Sequence, residues 1–361
     1  MIGRQQGDFR PAHLPLYAAA VYGLLVIYAS LHPFLGWKDG GVPLAAFLQA
    51  GWPRYWTVFD IVANVLAYLP LGFLLVPALQ SWFGRVAACG LAILLGCVLS
   101  LTLETLQNYL PSRVASNVDL ATNCLGLLAG AIVGARWGAS LLDGGRLHRW
   151  SVRLVGDGAL PHAGLILIGL WLLTQLNPGT LLFGNGDLRG LLAAFDVPHA
   201  LPYVAEDFPW IEAGVAAGNT LSIGLICSCL LCEWQRLGPF VLVTSAVAVK
   251  SVALVLQLGG DGLIWITRGN MAGLVVGATL WLAASFFSYQ WRQVLAAISL
   301  MLAAVLVNLA SENPYHSAML QTWQHGHFLN FNGLTRLTAV VWPFLAMTWL
   351  MMLRASRGTV P

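Results

Sequence analysis

Apolar stretches near span length recur along this chain. They begin near Leu14, Ile61, Val86, Val118, Ala163, Ile211, Pro239, Ile266, Val294 and Leu337, with polar or Gly- and Pro-bearing segments between them. Wound as a helix, about 20 such residues cross roughly 30 Å of hydrocarbon. The pattern predicts an all-α fold, a polytopic transmembrane helical bundle of about ten spans. Composition agrees, since 58% of residues are apolar and 9% charged, against about 25% charged in a soluble chain. No soluble domain is left over.

The pattern also repeats, with an offset of about 147 residues. Leu14-Pro15 and Leu160-Pro161 each open a span, and those spans end in His32-Pro33 and Asn177-Pro178. Both following loops carry LAAF, at Leu44 to Phe47 and Leu192 to Phe195. Helices with an early asparagine come next, Asn64 and Asn219, then NCLGLLAG at Asn123 and NMAGLVVG at Asn270. A four-helix unit is thus expected twice, over residues 14–139 and 160–287, with a helix pair over 294–353. Four being even, the copies enter the membrane the same way round, as parallel repeats. Asn313-Pro314, and Pro343 placed like Pro70, hint that the last pair is a truncated third copy. Gly126 with Gly130, and Gly273 with Gly277, have the spacing that lets helices pack closely.

Arg4, Arg10, Arg85, Arg136, Arg146, Arg149, Arg153, Arg236, Arg292, Arg354 and Arg357 fall on one side of the alternating loops. Lys38, Arg54, Arg113, Arg189, Arg268 and Arg336 fall on the other. The arginine-rich side is expected to be cytoplasmic, which places both termini inside and the protein in the cytoplasmic (inner) membrane. Trp82, Trp137, Trp234 and Trp291 lie beside the inner arginines, and Trp52, Trp56 and Trp210 at the outer edge, as aromatic belts do. The net charge of +3 is then this bias, and nucleic acid is not an expected partner. Arg4 and Arg10 before an apolar stretch resemble a secretory signal, but the equivalent helix of the second copy is internal, which argues against cleavage. Val42 to Leu48 and Leu188 to Phe195 read as short interfacial helices in long outer loops.

Three polar sets interrupt the apolar pattern: Asp60 with Asn64, Glu104 with Gln107, and Asp119 with Asn123. Each pair has helical spacing, so its members share a face. With alternating spans all three lie at the outer membrane face, and Arg113, in the hairpin between, is a natural counter-charge. An ionisable group in hydrocarbon costs about 2.5–3.5 kcal/mol on insertion scales, so such groups are candidates for function. Asp60 and Asp119 could instead serve helix N-termini; Glu104, near a helix carboxyl end, has no such role.

The strings FDIVANVLAYLPLG, SLTLETLQNYLPSR and NVDLATNCLGLLAGAIVG resemble the VanZ-like family, named for a glycopeptide-resistance protein associated with lowered teicoplanin susceptibility. Asp60, Asn64, Pro70, Gly72, Ser100, Glu104, Gln107, Arg113, Asp119, Asn123 and Gly126 match its pattern, over about Leu14 to Ala139. The resemblance implies envelope biology, membrane lipids as surroundings and a lipid-linked envelope precursor as a candidate partner. The second copy departs from the pattern: Val215 and Ile266 are aligned with Asp60 and Asp119, and Lys250, with Glu212 as candidate partner, is the ionisable residue near the glutamate position. Any chemistry should belong to the first copy.

The candidate site is therefore Asp60, Asn64, Ser100, Glu104, Gln107, Arg113, Asp119 and Asn123. These residue types could hold a divalent cation, Mg²⁺ or Mn²⁺, against a phosphate, or supply an acid and a base. No Ser-His or Cys-His arrangement joins them and no nucleotide-binding loop is present, so enzyme, lipid flippase or transporter, and non-catalytic scaffold of envelope polysaccharide machinery all stay open. An enzyme needs an open cleft at Glu104 and a transporter needs a polar route inward. Cys89, Cys97, Cys124, Cys227, Cys229 and Cys232 fall within predicted spans and suggest no disulfide framework. Glu312, His316, His325 and His327 form a second, weaker metal candidate in the last outer loop.

Overall fold

All ten stretches are helices in the computed structural model, which describes residues 13–39, 41, 43, 44, 46–51, 58–138, 141, 145–195, 202–258, 261–310 and 329–358. In chain order these are α1 (His13–Leu31), α2 (Ala46–Gln49), α3 (Val58–Phe83), α4 (Arg85–Gln107) and α5 (Asn117–Val133), which runs into a π-helical turn, Gly134–Gly138. They continue as α6 (Arg146–Val155), α7 (Ala159–Thr174), α8 (Arg189–Ala194), α9 (Phe208–Leu230), α10 (Leu237–Leu258), α11 (Arg268–Ala284), α12 (Tyr289–Leu309) and α13 (Leu329–Gly358). No strand occurs among the described residues.

Eight helices are long and apolar enough to cross a membrane, or nine if α7 is joined to the end of α6. Of the ten expected spans, α7 and α11 fall short on their own, at 16 and 17 residues. The protein is a multi-pass membrane protein. Of the stretches expected to lie in the interface, Val42 to Leu48 overlaps the short helix α2 and Leu188 to Phe195 contains α8. Arg4, Arg10, Arg54, Trp52, Trp56, Asn313-Pro314 and the Glu312, His316, His325 and His327 set lie outside the described residues.

The chain divides into two compact units, Met1–Val152 and Arg153–Pro361. In the first, α3 packs on α1, α4 and α5. Its approach to α5 depends on missing side chains: a Cβ at Gly126, Gly130 or Gly134 would run into the backbone of Val65, Leu69 or Phe73, and one at Gly72 would meet Leu127 from the other side. Without a hydrophobic drive between helices in lipid, this close van der Waals contact is what holds them. Tyr68, Leu71, Leu103, Leu110 and Leu127 fill the remaining core.

In the second unit α9 is central, packing on α7, α10, α11 and α12, while α13 packs on α7 and α12. The indoles of Trp342 and Trp349 donate to the carbonyls of Leu167 (2.8 Å) and Leu160 (2.9 Å) on α7, fixing α13 there. Gly269, Gly273 and Gly277 of α11 lie on the backbone of Pro209, Ala213 and Ala217. The same glycine-on-carbonyl contact thus joins α5 to α3 and α11 to α9.

That contact also corrects the alignment read from sequence. Gly126 lies on Val65 and Gly273 on Ala213, so Glu212 occupies the position of Asn64, and Asn219 comes two turns later. By the same register Phe208, rather than Val215, stands where Asp60 does. Two further expectations change. Lys250 has no contact with Glu212: its Nζ donates to Asn177 O (2.5 Å), Thr180 O (3.1 Å) and Thr180 Oγ1 (3.1 Å), while Glu212 accepts from Thr267 Oγ1 (2.8 Å). Cys232 lies beyond the end of α9 and is exposed, because the helix stops at Leu230. All six cysteines are free thiols.

Candidate functional site

The polar sets meet at one end of the first unit, where α1 and α4 finish and α3 and α5 begin. Ser116 is the N-cap of α5, its Oγ accepting from the N–H groups of Val118 (3.2 Å) and Asp119 (3.3 Å). In a capping box the N3 acid would take the N-cap N–H in return. Here Asp119, the N3 residue, accepts instead from Asn64 Nδ2 on α3 (2.9 Å). The Ser116 N–H goes to Glu104 Oε2 on α4 (3.0 Å). The two acids have been redirected to tie α5 to its neighbours.

One turn deeper, Asn123 Nδ2 donates to Ser100 Oγ (3.0 Å), and its Oδ1 is buried without a partner. The Tyr68 hydroxyl faces Ser100 and Ser30 beside them. Tyr68 was missed from sequence, although it lies one helical turn after Asn64 and so on the same face. Below this layer the polar path ends: Leu127, fully buried, fills the space over Gly96.

Gln107 and Arg113 do different work. Gln107 Nε2 donates to Ser30 O (3.0 Å), and Arg113 Nη2 donates to Ala29 O (2.9 Å) and His32 O (3.1 Å). They cap the open carbonyls where α1 ends, a place that favours a cation. Arg113 is therefore not an ion-pair partner of Glu104; among the described residues the one ion pair is Arg189–Asp187, at 2.7 Å. Burial holds the Arg113 pKa below its ordinary value, with the charge of Glu104 acting the other way. His32 is also held below its ordinary value, by burial first and by Arg113 second.

The loop after α1 is strapped across this end. Lys38 N–H donates to Tyr109 O (3.0 Å), Asn108 Nδ2 to Leu44 O (3.3 Å) and Asn117 Nδ2 to Ala50 O (2.8 Å). Asn117 gave no signal of its own in the sequence.

Residues 16–137 match the VanZ/LLP1 family model. The chain carries a VanZ-like domain. That domain is the first unit's four long helices, and the second unit lies beyond the match. No curated protein and no solved structure matches the chain. Within the VanZ-like domain, all eight residues singled out from sequence gather at one end of the bundle, but in two layers. Asp60, Asn64 and Asp119 form a half-buried rim, and Asp60 and Asp119 lie close enough for their charges to repel. Glu104 and Asn123, each 4% exposed, lie beneath it.

The layering limits the chemistry. No group of three or more His, Cys, Asp or Glu is arranged to hold a metal ion among the described residues. Glu104 is buried, and among the described residues no nucleophile–base pair stands near it. The rim can offer acceptors and negative charge to a ligand from the membrane surface; the buried layer can position the rim.

Proposed function

We propose that the VanZ-like domain binds a lipid-linked or cell-surface molecule of the envelope at the Asp60–Asn64–Asp119 rim. By this reading the family's association with glycopeptide (teicoplanin) resistance extends to this chain. The observation that carries it is the rim itself: two half-buried carboxylates on adjacent helices at a span end, braced from below by Glu104 through Ser116. Binding is favoured over catalysis because Glu104 is closed off. It is favoured over transport because Leu127 against Gly96 interrupts any polar route inward.

A scaffold reading has one observation in its favour, that Asn64, Ser100, Glu104, Gln107, Arg113, Asp119 and Asn123 each hold an internal hydrogen bond. The arginine distribution supports placing the domain in the cytoplasmic membrane with both chain termini inside and the rim outside. In a teicoplanin-susceptible host, the wild-type chain should lower susceptibility, and Asp60→Asn with Asp119→Asn should abolish the effect at equal membrane abundance. Full protection by that double variant would sink the proposal and leave the scaffold reading.

A further inference from the structure

A cavity lies wholly within the second unit, far along the chain from the VanZ-like domain. It has a volume of about 290 Å³ and sits where α9 and α13 end and α7, α10 and α12 begin. One wall is apolar, made by Pro161, Leu231, Trp349 and Leu353; the other carries Arg292, Gln235 and Tyr289. Pockets of this mixed kind, near the lower end of ligand-site volumes, hold molecules with an apolar body and a polar head.

The oxygens around it already have donors. Tyr289 Oη donates to Cys229 O (3.2 Å), the Leu231 N–H to Cys227 O (2.9 Å), Ser228 Oγ to Gln235 O (3.0 Å) and the Cys232 N–H to Leu154 O (2.6 Å). The donors of Arg292 are in a different state. Nη1 donates to Gln235 Oε1 (3.2 Å), but Nε is buried with no partner, and no acid pairs with this guanidinium among the described residues. Gln235 and the Tyr289 ring, 5.5 Å from the guanidinium carbon, fix it in place. An orphaned buried N–H on a fixed cation points to a missing anion.

The surroundings say which kind. Arg153, Arg236 and Arg354 are exposed at the same helix ends, against Asp157 and Glu233, so the rim is net basic. Trp234 and Trp291, 62% and 64% exposed, flank it as side chains at headgroup depth do. Guanidinium suits phosphate oxygens, and basic pockets between transmembrane helices take lipid headgroups. We propose that this cavity binds the phosphate of an anionic phospholipid, with Arg292 and Gln235 on the headgroup and Trp349 and Leu353 against the start of the acyl chains. The shared chemistry is a phosphate ester, and free phosphate is the other source to be separated.

The test is native mass spectrometry of the full chain in mild detergent, titrated with phosphatidylglycerol, phosphatidylcholine or inorganic phosphate. Wild type should hold one phosphatidylglycerol in preference to phosphatidylcholine. Arg292→Gln should weaken that binding by about tenfold or more, as loss of a charge-assisted contact does, and the exposed control Arg153→Gln should not. Gln235→Glu, which gives Arg292 a carboxylate of its own, should weaken it similarly, and decides the matter if Arg292→Gln does not fold. Displacement of the lipid by millimolar inorganic phosphate would keep the site and move its source to solution. Unchanged phosphatidylglycerol binding in Gln235→Glu and in any folded Arg292→Gln would overturn the proposal.

Discussion

Glu104 on α4 accepts the backbone N–H of Ser116, the residue that caps α5, at 3.0 Å. One buried carboxylate therefore sets the entry of the helix that carries Asp119. Glu104→Gln keeps an acceptor there and should melt near wild type in detergent. Glu104→Ala leaves the cap unbraced and should cost about 1–3 kcal/mol, the range for an orphaned buried partner. Equal damage from both would mean that charge, and not the hydrogen bond, is what the site needs.

The glycine contacts predict a position-specific cost. Gly130→Ala forces a methyl group into the Leu69 carbonyl and should destabilise by about 1–3 kcal/mol, as overpacking does. Gly90→Ala, with nothing within 4 Å, should be neutral or slightly stabilising. Paired melting curves check this directly, and similar curves for the two variants would contradict close packing of α5 on α3.

His32 makes the first unit sensitive to mild acid. Its folded pKa lies below the ordinary value, through burial first and Arg113 second, so the unfolded chain binds the proton more readily. The stability it contributes is full above the ordinary value, about 6.5, and is lost as pH falls through the folded value. Melting temperature should drop between pH 7 and 5, and His32→Gln should flatten that slope. Asp187 runs in the same sense lower down. Burial would raise it, but Arg189, with help from Arg336, outweighs that and holds it below the usual carboxylate range. Its stability is present above the ordinary value, near pH 4, and fades below it, so it adds nothing to the slope between 7 and 5.

Much of this architecture is legible in the sequence because its signals are local. A run of apolar residues fixes a helix start, and Asp60 with Asn64, or Glu104 with Gln107, declares a shared face by spacing alone. What crosses between helices is not local. Arg113 is near Glu104 in the chain, yet its guanidinium reaches the end of α1, because the open carbonyls of Ala29 and His32 compete for it. Lys250 bonds to the turn at Asn177 for the same reason, and no spacing rule links residues about 73 apart. The repeat alignment slipped at Asn219 because an asparagine was matched by type, whereas the packing is set by glycine against carbonyl.

Cys232 offers a check on orientation. It is the one exposed thiol among six and lies next to Trp234 and Arg236. If the arginine-rich side is cytoplasmic, a membrane-impermeant maleimide should label it only after the cells are permeabilised. Labelling in intact cells would reverse the orientation expected for this end of α9.

The most direct test of the central claim is mass spectrometry of what co-purifies with the full chain from cell membranes, comparing wild type with Asp119→Asn. The variant keeps an oxygen for Asn64 and should fold. A lipid-linked or surface envelope molecule carried by wild type and lost from the equally stable variant is the predicted result. Equal recovery of the same molecules from both would contradict binding at the rim.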